Sequence, residues 1–299
     1  MIEGAKILRT KLKQNPILKI AGAFDAMSAK LVELNNFDAV WAGSFAISAT
    51  HALPDASILT MTEFLSAASN MADACSIPII ADCDTGFGGP SNVSHLVKKY
   101  ESAGIAAISI EDKIFPKQNS LLEDGKQELL SEKDFVAKLI AAKNAKTNSN
   151  FMIIARIEAL IAGHGIKEAL KRATAYERAG ADAILIHSKK NNPDEVFEFC
   201  DTWNGNLPII AIPTSYPTVT LDELQEHNVK MVIYANQSLR AAHNIMLKTL
   251  KDILEKDSLE EVNIELSSMK DIFTLQEMYK INDQEKRIEI NLEKMGYIN

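Results

Sequence analysis

Between Gly43 and Asn236 the chain repeats one arrangement: an apolar run that ends in residues able to bind a metal ion or an anion. In chain order these ends are Gly43 and Ser44, Asp82 and Asp84, Glu111 and Asp112, Arg156 and Glu158, His187, Thr214 and Asn236. Asp82 and Asp84 stand two residues apart, so a strand continuing through them would point both to the same side, and Glu111 closes the next run. Carboxylate oxygens are hard donors, and three of them converging select Mg2+ or Mn2+. Opposite these acids the reading places Arg156 and His187, a guanidinium and an imidazole suited to a phosphoryl or carboxylate group. Each acid alone could instead cap a helix or pair with Lys113 or Arg156, and Arg156 could be a structural partner of Glu158. The set as a whole points to phosphoryl or dicarboxylate chemistry.

Other motifs carry less. DTGFGG (84–89) lacks both the GxGxxG spacing and a GKS/T ending, so it reads as a strand-to-helix turn and not as a nucleotide cradle. His51, His95 and His164 have no ligand spacing, and neither HExxH nor GxSxG occurs. Cys75, Cys83 and Cys200 are odd in number, widely spaced and without CxxC, which fits a reducing compartment and points to cytoplasm. A formal charge of -8 gives a nucleic-acid partner no bulk support. No apolar stretch reaches the roughly 18 residues of a spanning helix, so no membrane partner is expected.

The elements that must position these ends are eight short, β-branched runs: 17–24, 39–44, 77–84, 106–112, 152–159, 183–188, 208–214 and 231–236. They alternate with helix-period segments, and their near-continuous apolar character is that of parallel strands buried on both faces. The count predicts an α/β fold, a (β/α)8 TIM-type barrel with its chemistry at the C-terminal ends of the strands. FDAVWAGS, IAAISIED and ADAILIHS repeat one half-unit, each after a helix end at Asn36, Gly104 or Gly180. Ser131 with Asp134 and Thr220 with Glu223 mark helix starts. The polar stretch 113–130 is far longer than an ordinary βα loop and is expected to be a lid over the mouth. Residues 1–299 are read as a single barrel domain, with a last barrel helix from Gln237 and a C-terminal helical extension over 257–299.

IIADCDTGFG (79–88), EDKIFPKQNS (111–120), ARIEALIAGHG (155–165) and ILIHSKK (184–190) resemble the phosphoenolpyruvate mutase and phosphonopyruvate hydrolase branch of the isocitrate lyase superfamily. The resemblance runs from about Phe24 to beyond Asn236. It implies a barrel whose last helix is swapped between subunits of a homodimer or homotetramer, and a dependence on Mg2+, with Mn2+ as a substitute. It implies Asp82 as direct metal ligand, with Asp84 and Glu111 holding the water shell. Ser44 and Phe45 would offer backbone N–H groups to a pyruvyl unit and Trp41 would shape the pocket. Arg156 and His187 would hold the phosphoryl group, and Lys117, Asn119 and Ser120 would ride on the gating loop. Asp55, in HALPDAS, matches an essential acid whose role as nucleophile or positioner stays open.

Within that branch the mutase pattern resembles EDKxxxxxNS and the hydrolase pattern EDKTFPKDTS, so Asn119 favours the mutase. HALPDASILTMT, IADCDTGFG and DGKQEL look at least as close to the hydrolase. A carbon–carbon lyase of the methylisocitrate type resembles a KKCGH loop, but no cysteine stands between Cys83 and Cys200. A non-catalytic binding barrel would not need the acids, Arg156, His187 and a Lys-bearing lid together. Mutase activity would also imply coupling to an enzyme that consumes phosphonopyruvate, because forming that product is uphill.

Overall fold

A computed structural model of the chain describes residues 3–262 and 266–297. The chain divides into two compact units, Met1–Ala241 and Ala242–Asn299.

The first unit is a closed barrel of eight parallel strands in sequential order. The strands are β1 (Leu18–Ala23), β2 (Ala39–Ala42), β3 (Ile79–Asp82), β4 (Ala107–Glu111), β5 (Met152–Ile157), β6 (Ala183–Ile186), β7 (Ile209–Ala211) and β8 (Val229–Tyr234). All eight coincide with an expected apolar run. Most stop before the run does, because the backbone leaves the ladder at the mouth and the last polar residues lie on the loops beyond. Inward side chains such as Ile80, Ile154, Leu185 and Ile233 fill the interior beneath Trp41. Their neighbours Ile79, Ile153, Ile184 and Val232 pack outward under the helices. This two-sided burial explains why the runs are apolar throughout.

The helices of this unit are α1 (Glu3–Gln14), α2 (Ala26–Leu34), α3 (Ser44–Thr50), α4 (Met61–Ala74), α5 (Pro90–Ser102), α6 (Glu132–Ala145), α7 (Gly165–Ala179), α8 (Asp194–Thr202) and α9 (Leu221–Glu226), with α10 (Gln237–Glu255) beginning in it. The expected helix ends at Asn36, Gly104 and Gly180 all adopt positive φ. Ser131 caps α6 by accepting from the Asp134 backbone, and Thr220 and Glu223 form a capping box on α9. The seam between β1 and β8 closes tightly: a Cβ on Gly22 would lie 2.0 Å from the Ala235 carbonyl oxygen. Ser238 Oγ donates to the Gly22 carbonyl across the same seam at 2.5 Å.

In the second unit, α11 (Met269–Leu275) starts at a Ser268 capping box and α12 (Met278–Lys294) follows. Residues 263–265, 298 and 299 of the expected extension lie outside the described residues. No helix among the described residues is long and apolar enough to cross a membrane.

Candidate active site

Asp82 ends β3 and Glu111 ends β4, two strands paired side by side with Asp82 registered against Ser109, so both acids stand at the mouth end of the barrel. Asp84 arrives differently from expectation. The strand stops at Asp82, and Asp84 takes a left-handed backbone with φ 49°. Its place beside Asp82 comes from this turn, carried on by Gly86 (φ 87°), and not from the two-residue period of a strand. The Asp84 backbone N–H donates to Asp82 Oδ1 at 3.3 Å, and Ser44 Oγ donates to Asp82 Oδ2 at 3.0 Å.

The Asp84 and Glu111 carboxylates are buried, and none of their four oxygens accepts a hydrogen bond. Burial pushes the Asp84 carboxyl up against the pull of Lys117, and it pushes Glu111 up to about 7 despite Arg156. Buried polar atoms without partners are rare in native interiors and mark a missing partner. Among the described residues no three His, Cys, Asp or Glu side chains converge closely enough to chelate an ion directly. This donor set fits an ion that keeps much of its water, with one direct carboxylate and others reaching it through that water, which is how Mg2+ is usually held.

The expected separation of cations from acids is not what the barrel builds. Glu111 pairs in register with Arg156 on the neighbouring strand β5, so the guanidinium lies beside the acids and not across from them. Arg156 Nε is 3.3 Å from Glu111 Oε2, and Nη1 is 3.8 Å from Asp82 Oδ2. Arg156 Nε also donates to Glu158 Oε1 at 2.5 Å, and Nη2 lies 2.9 Å from His187 Nδ1. Burial and the adjacent guanidinium hold His187 below its ordinary value, against the pull of Glu158. Burial would raise Glu158, but Arg156, His187 and Lys113 overcome it and keep this carboxyl well below the usual range.

The stretch 113–130 is folded down over the mouth. Lys113 and Leu129 form an antiparallel bridge across its two stems. Lys117, only 5% exposed, donates to Asp55 Oδ1 at 2.7 Å and lies 3.0 Å from Asp84 Oδ1. Asn119 Nδ2 donates to Asp55 Oδ2 at 2.7 Å, and the Lys117 backbone N–H donates to Ser57 Oγ at 3.1 Å. Both oxygens of Asp55 are thus engaged by the lid. Burial alone would pull the Lys117 ammonium down, yet Asp84, Glu111, Asp55 and Asp82 raise it well above its ordinary value. Ser120 Oγ donates to Glu158 Oε2 at 2.6 Å and accepts from Lys113 Nζ at 2.6 Å and Arg156 Nη2 at 3.1 Å. Its hydroxyl has no capacity left over.

These groups surround a cavity of about 270 Å³. Trp41, Ser44, Phe45, Asp55, Asp82, Lys117, Asn119, Ser120, Arg156 and His187 line it, while Asp84 and Glu111 stand behind Lys117 and Arg156. Ser44 and Phe45 open α3, and first-turn N–H groups have no acceptor inside their own helix. Ile212, Leu121 and Arg240 also line the cavity, beyond the residues singled out from the sequence. Arg240 sits four residues past Asn236, in the first turn of α10, where position after the eighth strand was the available signal.

A family model described as phosphoenolpyruvate phosphomutase matches residues 8–254. The chain belongs to the phosphoenolpyruvate phosphomutase family. A phosphoenolpyruvate phosphomutase of Tetrahymena pyriformis is 41% identical over 94% of this chain and 93% of its own. A phosphonopyruvate hydrolase of Variovorax sp. is 43% identical over 90% of this chain and 93% of its own. Among solved structures, the phosphoenolpyruvate phosphomutase of Streptomyces platensis subsp. rosaceus superposes with a TM-score of 0.93 at 45% identity, covering 95% of this chain and 99% of that one. A phosphonopyruvate hydrolase in complex with oxalate and Mg2+ superposes with a TM-score of 0.89 at 40% identity, covering 95% and 98%. Family members thus include both a mutase and a hydrolase, and one of them binds a small dianion with Mg2+.

Proposed function

We propose that this chain interconverts phosphoenolpyruvate and phosphonopyruvate. The observation that carries the reading is the Asn119 amide, which the lid places over the cavity on Asp55, where the mutase pattern has Asn and the hydrolase pattern Thr. In the forward direction the P–O bond to the enol oxygen breaks, leaving its electron pair on the pyruvyl unit. Carbon 3 of that unit then forms the C–P bond, and neither water nor a second substrate is consumed.

Arg156, and His187 through its free Nε2, hold the phosphoryl group as it moves, their positive and hydrogen-bonding groups matching charge spread over its oxygens. The Ser44 and Phe45 backbone N–H groups orient the pyruvyl unit, and Trp41 closes the pocket beneath it. Asp55 acts as a positioner, because both its oxygens hold the lid residues Lys117 and Asn119. The lid excludes water from a phosphoryl group in transit, anchored through Ser120. Asp82, with Asp84 and Glu111 reaching through bound water, would hold Mg2+ or Mn2+, which supplies charge stabilisation to the pyruvyl unit.

The same reading includes a homodimer or homotetramer exchanging C-terminal helices, supported by exposed Ile245, Leu250 and Leu254 on α10 and Ile281 and Ile288 on α12. It places the enzyme in the cytoplasm, supported by three free cysteines, and before a step that consumes phosphonopyruvate. The Variovorax hydrolase at 43% identity favours the second reading, hydrolysis of phosphonopyruvate to pyruvate and phosphate. Phosphorus NMR with phosphonopyruvate and Mg2+ decides. Phosphoenolpyruvate as the first product supports the mutase, whereas pyruvate with inorganic phosphate establishes the hydrolase.

A further inference from the structure

Glu158 lies one residue beyond β5 and is fully buried, and its two carboxylate oxygens serve two different parts of the molecule. Oε1 accepts from Arg156 Nε and lies 3.0 Å from His187 Nδ1, both groups fixed to barrel strands or their ends. Oε2 accepts from Ser120 Oγ and lies 3.3 Å from Lys113 Nζ, both groups of the lid. Its backbone is tied down as well. The Glu158 N–H donates to Asp112 Oδ1 at 2.9 Å, while Asp112 Oδ2 accepts from Arg172 Nη1 at 2.9 Å and from the Tyr176 hydroxyl at 2.7 Å. Leu130 N–H donates to the Asp112 carbonyl, and Arg172 donates to the Leu130 carbonyl. The two stems of the lid are therefore clamped to α7, and the part able to lift away from Glu158 is the segment carrying Ser120.

His187 Nδ1 is claimed twice, by Arg156 Nη2 at 2.9 Å and by Glu158 Oε1 at 3.0 Å. A neutral imidazole nitrogen either accepts or donates, so only one claim can be a hydrogen bond at a time. When Ser120 and Lys113 engage Oε2, they draw the carboxylate charge toward themselves and weaken Oε1 as an acceptor. Nδ1 then accepts from Arg156, and the ring proton sits on Nε2, the nitrogen left for a ligand. When Ser120 leaves, Oε1 regains its charge and competes for a proton on Nδ1. The exchange moves one proton between the ring nitrogens through cavity water and leaves the net charge unchanged.

We propose that Glu158 is a positioning residue that transmits lid closure to Arg156 and His187, fixing their orientation and the imidazole tautomer through its second oxygen. The proposal rests on the mutase reading only for what that pair binds, since the coupling needs no substrate. Ser120 Oγ also accepts from Arg156 Nη2 at 3.1 Å, so the path that Glu158 alone supplies is the one to His187. The test uses the full chain with Ser120→Ala and Glu158→Gln, singly and together, reading His187 ring nitrogen shifts by 15N NMR without ligand and steady-state kinetics with phosphonopyruvate.

Ser120→Ala is expected to move the Nδ1 resonance toward the protonated form and to lower kcat about tenfold to 100-fold at nearly constant KM, its hydrogen bonds to Glu158, Lys113 and Arg156 all being lost. Adding Ser120→Ala to Glu158→Gln is expected to produce no further shift, and only the smaller loss in kcat that the direct Ser120–Arg156 contact carries. Unmoved His187 resonances in Ser120→Ala, or a further shift in the double variant, overturn the coupling. Should Glu158→Gln not fold, the Ser120→Ala shift alone decides. A wild-type protein that turns over neither substrate defeats the mutase reading while leaving the NMR result to judge the coupling.

Discussion

Two walls of the same mouth are built on opposite principles. On the β3–β4 side, Asp84 and Glu111 present four buried carboxylate oxygens without a hydrogen bond. On the β5–β6 side, Glu158 has both oxygens engaged by Arg156, His187, Ser120 and Lys113. Burial costs both walls desolvation; Lys117 beside Asp84 and Arg156 beside Glu111 offset part of it on the first wall, and the hydrogen bonds to Glu158 offset more of it on the second. The first wall thus keeps acceptors to spare, which the proposed metal and its water would take up, and the second has none left over. A site that neutralised all its acids internally would bind no metal, and one that left all of them bare would not stay folded.

The comparison breaks most visibly at Asp82. Asp82→Ala is expected to lower turnover by at least about a thousandfold while circular dichroism stays that of a barrel. Near-normal, metal-dependent turnover would remove Asp82 from the metal role. A paired measurement sharpens the contrast without substrate. In EDTA, Glu158→Gln should destabilise by about 3 kcal/mol, because it leaves Arg156 without its main partner. Glu111→Gln removes a charge that burial disfavours, so it should leave the EDTA melting temperature unchanged or raised and abolish the upward shift that Mg2+ gives the wild type. Equal losses in the two variants would mean that the walls do not differ.

Asn119→Thr probes the lid above both walls. It is expected to lower mutase flux about tenfold with a smaller change in KM, the effect of one hydrogen bond to a charged group. An unchanged rate would strip Asn119 of its value as a discriminator. The smallest effect belongs to Glu33, a saturated carboxylate at the barrel's edge that accepts from the Ser76 N–H and hydroxyl and pairs with Lys30 at 2.7 Å. These bonds overcome partial burial and hold its carboxyl near about 2. Because the folded value lies below the unfolded one, the stabilisation is complete above the unfolded value and is lost as pH falls toward 2. Glu33→Gln should thus cost about 1 kcal/mol at pH 7, and the difference in chemical denaturation should shrink progressively below pH 4.5. A difference that persists at pH 2.5 would deny Glu33 its saturated state.

All eight strands were legible because a strand buried on both faces must be apolar throughout, and 77–84 or 183–188 can hardly read otherwise. The caps at Ser131, Thr220 and Gly180 were legible because each solves a local backbone problem with one residue type. The bounds were less so, since IPIIADCD continues apolar past the point where the ladder ends at Asp82. Asp84 illustrates the limit. Its type marked it for the site, but the left-handed turn that places it depends on how Gly86 and the start of α5 pack, which the spacing does not encode. Arg156 was expected opposite the acids, at the end of the fifth strand. Registration of β5 against β4 makes it a neighbour of Glu111. Asp55 carried no local signal, and only the resemblance marked it before Lys117 and Asn119 were seen to close on it.

The seam at Gly22 bears on how this chain comes to be folded. The first strand finds its second partner only in the eighth, with Leu18 registered against Met231, so this pairing is the most distant in the sheet. Bringing such remote segments together is entropically late and slow. Until β8 is in place, the outer edges of β1 and β7 have no partner to complete the ladder. A side chain at position 22 would press on the Ala235 carbonyl at the moment of closure, so its burden would fall on the yield of folded protein, and a chaperone would feel it before an assay of the purified enzyme did.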